Sequence, residues 1–272
     1  MKNDNSFSYY AHRILWTRSF WLVFSAFFVI MQWDFFYQLR WGNVTSEAFA
    51  SSFLAANSVG NAHLFQLMII AILPVYLFLA VGKTHDEDIK SGQIVAVLSR
   101  MGRKKYYLYT YLSAAVFSFL LVFLSLLINL MIVKLTISVF PIETMKWFDF
   151  FRGQKEAVIK EPMMQFAVWQ VKHGFLAFLL YAGSFSFLAS LLSVFTINVS
   201  RIFRKSYQTL VIVCLIYIFF LPQFLGAEAF QPKLAVMFNV WLQHILLVLF
   251  VLFAINILFV WGLNRGEEEL EV

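Results

Sequence analysis

The chain has 272 residues, of which 61% are hydrophobic, 19% aromatic and only 13% charged. A soluble domain carries about 25% charged residues, so roughly half the usual polar coat is missing, and one core could not hide the apolar remainder. These figures exclude disorder, a nucleic-acid-binding domain and a disulfide-stapled secreted module, and leave an integral membrane protein with a formal charge of +6.

At the N-terminus Phe7, Tyr10, Ala11, Ile14 and Leu15 recur at helical spacing, with His12, Arg13 and Arg18 among them. The pattern predicts an interfacial helix over about 6–18, apolar face toward the lipid and cations near anionic headgroups. After Phe20 the apolar run is too long and too aromatic for a cleavable signal, so it is expected to stay as the first span. A span needs about 20 mostly apolar residues, and six stretches qualify, near 20–37, 64–81, 106–133, 175–195, 207–225 and 240–263. No soluble domain separates them. The longest gap, the loop 134–173, is too short for a catalytic domain.

Orientation follows from the cations in the loops. With the N-terminus inside, 13 of the 21 Lys and Arg fall in inner segments, the densest being Arg103–Lys105 and Arg201, Arg204 and Lys205. Both termini are therefore read as cytoplasmic. Asp34, beside Trp33 near the outer end of the first span, is expected at the interface.

The inner loop 83–105 carries the most information. Thr84 and Glu87 have capping-box spacing, and Asp86, Glu87 and Asp88 would then occupy the first turn, where negative charge meets the positive helix end. Ile94, Val97, Leu98 and Met101 follow at i, i+3, i+4 and i+7, one apolar stripe. Gly102 is placed to end the helix, and Arg103, Lys104 and Lys105 stand where the chain re-enters the membrane.

This run of acidic residues, Ser91 and Gly92, an apolar stretch to Leu98 and Ser99, then Arg103–Lys105 and Tyr106–Tyr107, resembles the coupling-helix region of ABC-2 type transporter permeases. Gln93 stands where that family usually has Thr, and Val95 where it has Glu. Thr110 and Tyr111 occupy the neighbourhood of its usual Lys in the third span. The resemblance implies an all-α integral membrane protein with six transmembrane helices, an N-terminal interfacial helix and a cytoplasmic coupling helix between spans two and three. It implies a permease subunit of an ABC exporter in the bacterial cytoplasmic membrane, paired with a second copy or a related chain. Two soluble ATPase subunits would dock on the inner loop and carry ATP and Mg; this chain would bind no cofactor. Asp86, Glu87, Asp88, Ser91, Gly92, Ile94, Val97, Leu98, Met101, Arg103, Lys104 and Lys105 are the implied ATPase-coupling residues. Pro222, with Gly226 and Pro232, would begin a short outer re-entrant element.

Other chemistry is thinly represented. No G-x-x-x-x-G-K-[ST] or H-E-x-x-H pattern occurs, and four adjacent residues, His85–Asp88, cannot all converge on one ion from a helical turn. Cys214 is the single cysteine, so it makes no disulfide within the chain. Asn129 and Asn256 are deep enough to bond across helices. With Ser186 and Ser190 they are also candidate substrate contacts. Ala182, Ser186, Ala189, Ser190 and Ser193 form a small-residue face suited to close helix packing. In the outer loop Trp147, Phe148, Phe150, Phe151, Phe166 and Trp169 alternate with Lys146, Arg152, Lys155 and Lys160, which fits helices resting on the outer leaflet or a capture surface for an amphiphilic substrate. An antimicrobial-type peptide or a lipid-linked compound would suit such a surface. Glu267, Glu268, Glu269 and Glu271 read as a solvated tail. The competing functional reading is a non-transporting polytopic membrane protein, an intramembrane enzyme or a sensor scaffold.

Overall fold

The computed structural model describes residues 6–40, 48, 52–53, 64–140, 169, 173–203, 205–220 and 238–269, and the elements among them are all helical. Helix α1 (Ser6–Leu15) turns sharply at Trp16 and Thr17 into α2 (Arg18–Arg40). At 1.5 Å per residue α2 is about 35 Å long, enough for a hydrocarbon core of about 30 Å. Helix α3 (Leu64–Leu77) contains Pro74, which cannot donate to the carbonyl one turn back. The chain nevertheless continues through a wide π turn at Phe78–Gly82 into α4 (Lys83–Lys90). A short α5 (Gln93–Met101) precedes α6 (Arg103–Val139), followed by α7 (Gly174–Ile202), α8 (Ser206–Leu215) with a second π turn at Ile216–Phe220, and α9 (Phe238–Glu269).

Among the described residues five helices are long and apolar enough to cross a membrane: Arg18–Arg40, Met68–Lys90, Arg103–Val139, Gly174–Ile202 and Ile245–Leu263. This set fits a multi-pass membrane protein. The apolar helix Ser206–Phe219, where the fifth of the six predicted spans begins, is shorter, and the rest of that stretch to Leu225 lies outside the described residues. Helices run beyond most predicted ends: the second continues to Lys90 rather than Val81, because His85, Asp86, Asp88 and Lys90 find partners on neighbouring helices instead of leaving the bundle.

The core lies between α6 and α7. Ala114, Phe117, Leu121 and Leu126 of α6 meet Phe178, Tyr181, Phe185, Leu188 and Leu192 of α7, and α2, α3 and α9 add Phe27, Leu73 and Val248. The small-residue face of α7 is buried throughout, which allows close approach to α6. There the hydroxyls of Ser118 and Ser193 touch, and Ser190 Oγ donates to the Ala115 carbonyl at 2.8 Å.

One expectation is corrected by the packing. The apolar face of α1 does not lie wholly toward lipid: Tyr10 and Ile14 are 5% and 2% exposed, buried against protein, while Leu15 of the same face and the following Trp16 are exposed. The helix also ends at Leu15 rather than near residue 18. Asp34, near the end of α2, is 2% exposed, on the inner face of that helix with Met31, Phe35 and Gln38. The aromatic and basic residues 146–166 of the outer loop, Pro222, Gly226, Pro232 and Glu271 lie outside the described residues, as does the loop's cation Lys172. Trp169 is described, and packs on the core with its ring 5.6 Å from that of His173.

Candidate functional site

The end of the bundle that carries α5 is where the predicted coupling residues gather. Helix α5 is set off by two glycines with positive φ. Gly92 (φ 69°, ψ 2°) breaks the chain out of α4, and Gly102 (φ 79°, ψ 153°) turns it into α6. The stripe is placed as its spacing predicts: Ile94, Val97, Leu98 and Met101 are half-buried, while Gln93, Val95, Ala96, Ser99 and Arg100 are exposed. Val95 is 69% exposed, and no residue of α5 is fully buried. Met101 also accepts a contact from the Tyr10 hydroxyl, 3.8 Å to its sulfur, which ties α1 to α5.

The acidic residues do not start this helix. Lys83–Lys90 continues from the preceding turn, so there are no free N-terminal amides for a capping box to satisfy. Thr84 Oγ1 donates backward to the Val81 carbonyl at 2.7 Å. Asp86 and Asp88 are buried and leave α4 toward different helices. Glu87 remains half-exposed beside Lys83, 3.6 Å away, a surface pair of small energetic consequence.

Asp88 is the centre of the first cluster. Its carboxylate accepts from the guanidinium of Arg13 on α1 and from the Tyr106 hydroxyl of α6 at 3.3 Å. Tyr106 in turn lies 3.1 Å from His85 Nδ1, and its ring meets that of Tyr10 edge-on at 5.9 Å. Burial works against the charge on Arg13, but the hydrogen bond and attraction of Asp88 outweigh it and raise the guanidinium pKa above its ordinary value. The Tyr10 hydroxyl is pushed well up, first by burial and then by the charge of Asp88, and stays protonated. Arg13, Thr84, His85, Asp88 and Thr110 border a small enclosed void.

Asp86 anchors the second cluster. Lys90 Nζ stands 2.7 Å from its carboxylate, and Ser206 Oγ of α8 donates to the same oxygen at 2.8 Å. Lys90 also reaches Ser206. A third contact joins α7 to α6: Arg201 donates to the Tyr111 hydroxyl at 2.8 Å, and its guanidinium carbon lies 3.7 Å from the Tyr107 ring centroid. That geometry is a cation–π contact. A cation from α7 thus stands beside Tyr107 and Tyr111 near the start of α6.

Arg103, Lys104 and Lys105 open α6. Three cations in a first turn oppose the helix macrodipole, so helix stability does not account for their position. Ser91 is exposed, its hydroxyl bonded to the Glu87 carbonyl at 2.7 Å. Arg13, Lys90, His85, Tyr106, Arg201 and Ser206 were not recognised from the sequence as members of one site, and most of their contacts bridge 75 residues or more. One local signal was available: His85 and Asp88 continue the buried face of Leu77 and Val81 at four- and three-residue steps.

The four candidate substrate contacts do not converge. Asn129 accepts from the Phe53 backbone N–H at 2.9 Å and donates to the Met31 carbonyl at 3.3 Å. Asn256 accepts from Asn198 at 3.0 Å and donates to the Leu191 carbonyl at 3.1 Å. Ser186 bonds its own helix, and Ser190 bonds both its own helix and α6. All four are buried, engaged in holding the chain together. Among the described residues no three of His, Cys, Asp and Glu come together as a metal-binding group.

No protein-family model matches the chain, and no solved structure matches it. The chain is similar to the uncharacterized protein YybM of Bacillus subtilis (strain 168), at 26% identity over 203 residues, which are 73% of this chain and 75% of that protein.

Proposed function

We propose that the chain is the membrane-spanning subunit of an ATP-driven exporter of the ABC-2 type in a bacterial cytoplasmic membrane, working as a pair of permease chains with separate ATPase subunits. The observation that carries this reading is the build of α5. It is a short amphipathic helix, isolated by Gly92 and Gly102, half-buried on one face and open on the other. It touches α1 through Met101 and Tyr10, and the preceding α4 is joined to the bundle through the polar network around Asp86 and Asp88. Docking on the open face would let closure of the ATPase subunits press on α5. Its half-buried stripe would pass the displacement to α6, and the Arg13–Asp88 and Asp86–Ser206 contacts would carry α1, α4 and α8 along as a rigid unit. The cations gathered at this end support a cytoplasmic placement, and similarity to a Bacillus protein supports a bacterial one. The transported compound is an amphiphile, a peptide or lipid-linked molecule, on the strength of the aromatic, basic outer loop.

The burial of Asp86 and Asp88 changes which residues test the reading. Reversing their charge would break the bundle rather than probe a docking surface, so the informative positions are Val95 and Arg100. A Val95→Asp, Arg100→Glu variant changes only exposed side chains, where effects on stability usually stay within about 0.5 kcal/mol. The tagged wild-type chain is expected to bring down a soluble ATP-hydrolysing protein from native membranes, and the folded variant is expected to lose it. Wild-type protein that brings down no ATPase ends the exporter reading.

A further inference from the structure

A second feature lies on the opposite side of α1 from the Asp88 cluster, at the elbow between α1 and α2. A groove of about 620 Å³, open to the exterior, is lined by Leu15, Trp16, Arg18, Trp21, Leu22 and Ser25. The elbow that shapes it is firmly bonded. Thr17 Oγ1 donates to the Arg13 carbonyl at 2.7 Å, and Trp21 Nε1 to the Leu15 carbonyl at 2.6 Å. Trp16, 76% exposed, is held by stacking on His12 with ring centroids 5.3 Å apart.

The groove joins an apolar wall to a cation. Its walls are apolar, with Trp21 and Leu22 exposed by 53% and 70%. Its one charged group, Arg18, is exposed and makes no ion pair or hydrogen bond among the described residues, whereas Arg13 one turn earlier is committed to Asp88. The groove also has an outlet. Leu22, Ser25, Val29, Trp33 and Phe36 are all exposed and fall on one stripe of α2, so an apolar track runs from the groove along the first span. A water-soluble anion would satisfy Arg18 and leave the track bare. A hydrocarbon chain would cover the track and leave the cation unanswered.

We infer that the α1–α2 elbow is a binding site for one anionic phospholipid, its phosphate on Arg18, its glycerol region between Trp16 and Trp21, and one acyl chain along the exposed stripe of α2. Tryptophan prefers this headgroup depth, and a cation at a bilayer surface strengthens binding to anionic lipid by about 1 kcal/mol, or about five-fold. The site requires only that the chain sits in a bilayer, and is independent of any ATPase.

Native mass spectrometry of the full chain in detergent, titrated with phosphatidylglycerol or phosphatidylcholine of identical acyl chains, tests the assignment. Wild-type protein is expected to hold the first phosphatidylglycerol about five-fold more tightly than phosphatidylcholine. Arg18→Gln should abolish that preference, and Arg100→Gln, at another exposed arginine, on α5, should keep it. Glycerol 1-phosphate, a headgroup without chains, should not displace the lipid. The assignment is overturned by an absent preference in wild type, by a preference that survives Arg18→Gln, by equal losses in both variants (which would mean diffuse surface charge), or by displacement with glycerol 1-phosphate.

Discussion

Arg13 and Asp88 are 75 residues apart in the chain, yet the guanidinium of one donates directly to the carboxylate of the other, with side chains 22% and 2% exposed. The pair fixes the N-terminal helix to the end of the second span. Removing the cation would leave a buried carboxylate without its compensating charge, a loss of roughly 3 kcal/mol. Asp88→Asn should cost less, about 1 kcal/mol, because the amide oxygen still accepts from Arg13 and the arginine keeps some access to water. Arg13→Ala should therefore unfold earlier in detergent than Asp88→Asn, and the reverse order would contradict this account. Because the guanidinium pKa is raised, its share of the stabilisation is complete at every pH below its ordinary value and is lost only above it. Thermal unfolding should accordingly show no pH step caused by deprotonation of this arginine across the working range.

Tyr106 separates hydrogen bonding from packing in the same cluster. Its hydroxyl bridges Asp88 and His85, while its ring is 0% exposed. Tyr106→Phe removes only the bridge, at about 1 kcal/mol, whereas Tyr106→Ala also empties the ring's space, at about 3 to 5 kcal/mol. Unfolding midpoints for the two variants measure the difference. Equal losses would mean that the ring contributes nothing beyond its hydroxyl.

The two glycines bounding α5 should not tolerate substitution equally. A Cβ at either position meets nothing within 4 Å, so the cost is conformational. Gly92 sits in the left-handed helical region, where alanine costs about 1 to 2 kcal/mol. Gly102, at φ 79° and ψ 153°, is near a region occupied almost exclusively by glycine, and its cost should reach about 2 to 3 kcal/mol. Comparing Gly92→Ala with Gly102→Ala by equilibrium unfolding checks the ranking, and copurified ATPase activity should fall further for the second.

The Asn198–Asn256 contact distinguishes packing from substrate recognition. Interhelical polar contacts in membranes average about 0.6 kcal/mol and seldom exceed about 1.7. Asn256→Leu should thus destabilise the chain by about 1 kcal/mol while leaving ATPase association intact and substrate range unchanged. An altered substrate profile at unchanged stability would place Asn256 on the transport path instead.

What could be read in the sequence was whatever depends on near neighbours. The stripe Ile94, Val97, Leu98 and Met101 follows from 3.6-residue periodicity, and Gly102 ends α5 as read. The interhelical bonds of Asn129 and Asn256 follow from placing an amide in an apolar run. The acidic turn was misplaced because Thr84 and Glu87 have the spacing of a cap whether or not a helix begins there. Only the continuity of α3 with α4, across Pro74 and the π turn, shows that it does not. What covers α1 is illegible for a related reason: an amphipathic helix carries one apolar side, and periodicity does not say whether protein or lipid covers it. Tyr10 and Ile14 are covered by protein. The Asp88 and Asp86 clusters were illegible as units because their partners, Arg13, Tyr106 and Ser206, come from separate helices.

The most direct test of the account is photo-crosslinking from Val95, the most exposed large apolar side chain on α5. A photoreactive residue at that position, in the full chain in native membranes, is predicted to attach to a soluble ATP-hydrolysing subunit. The same group at Leu22, on the outward stripe of α2, is predicted to attach only to lipid. Crosslinks from position 95 that capture lipid and no ATPase would contradict the account.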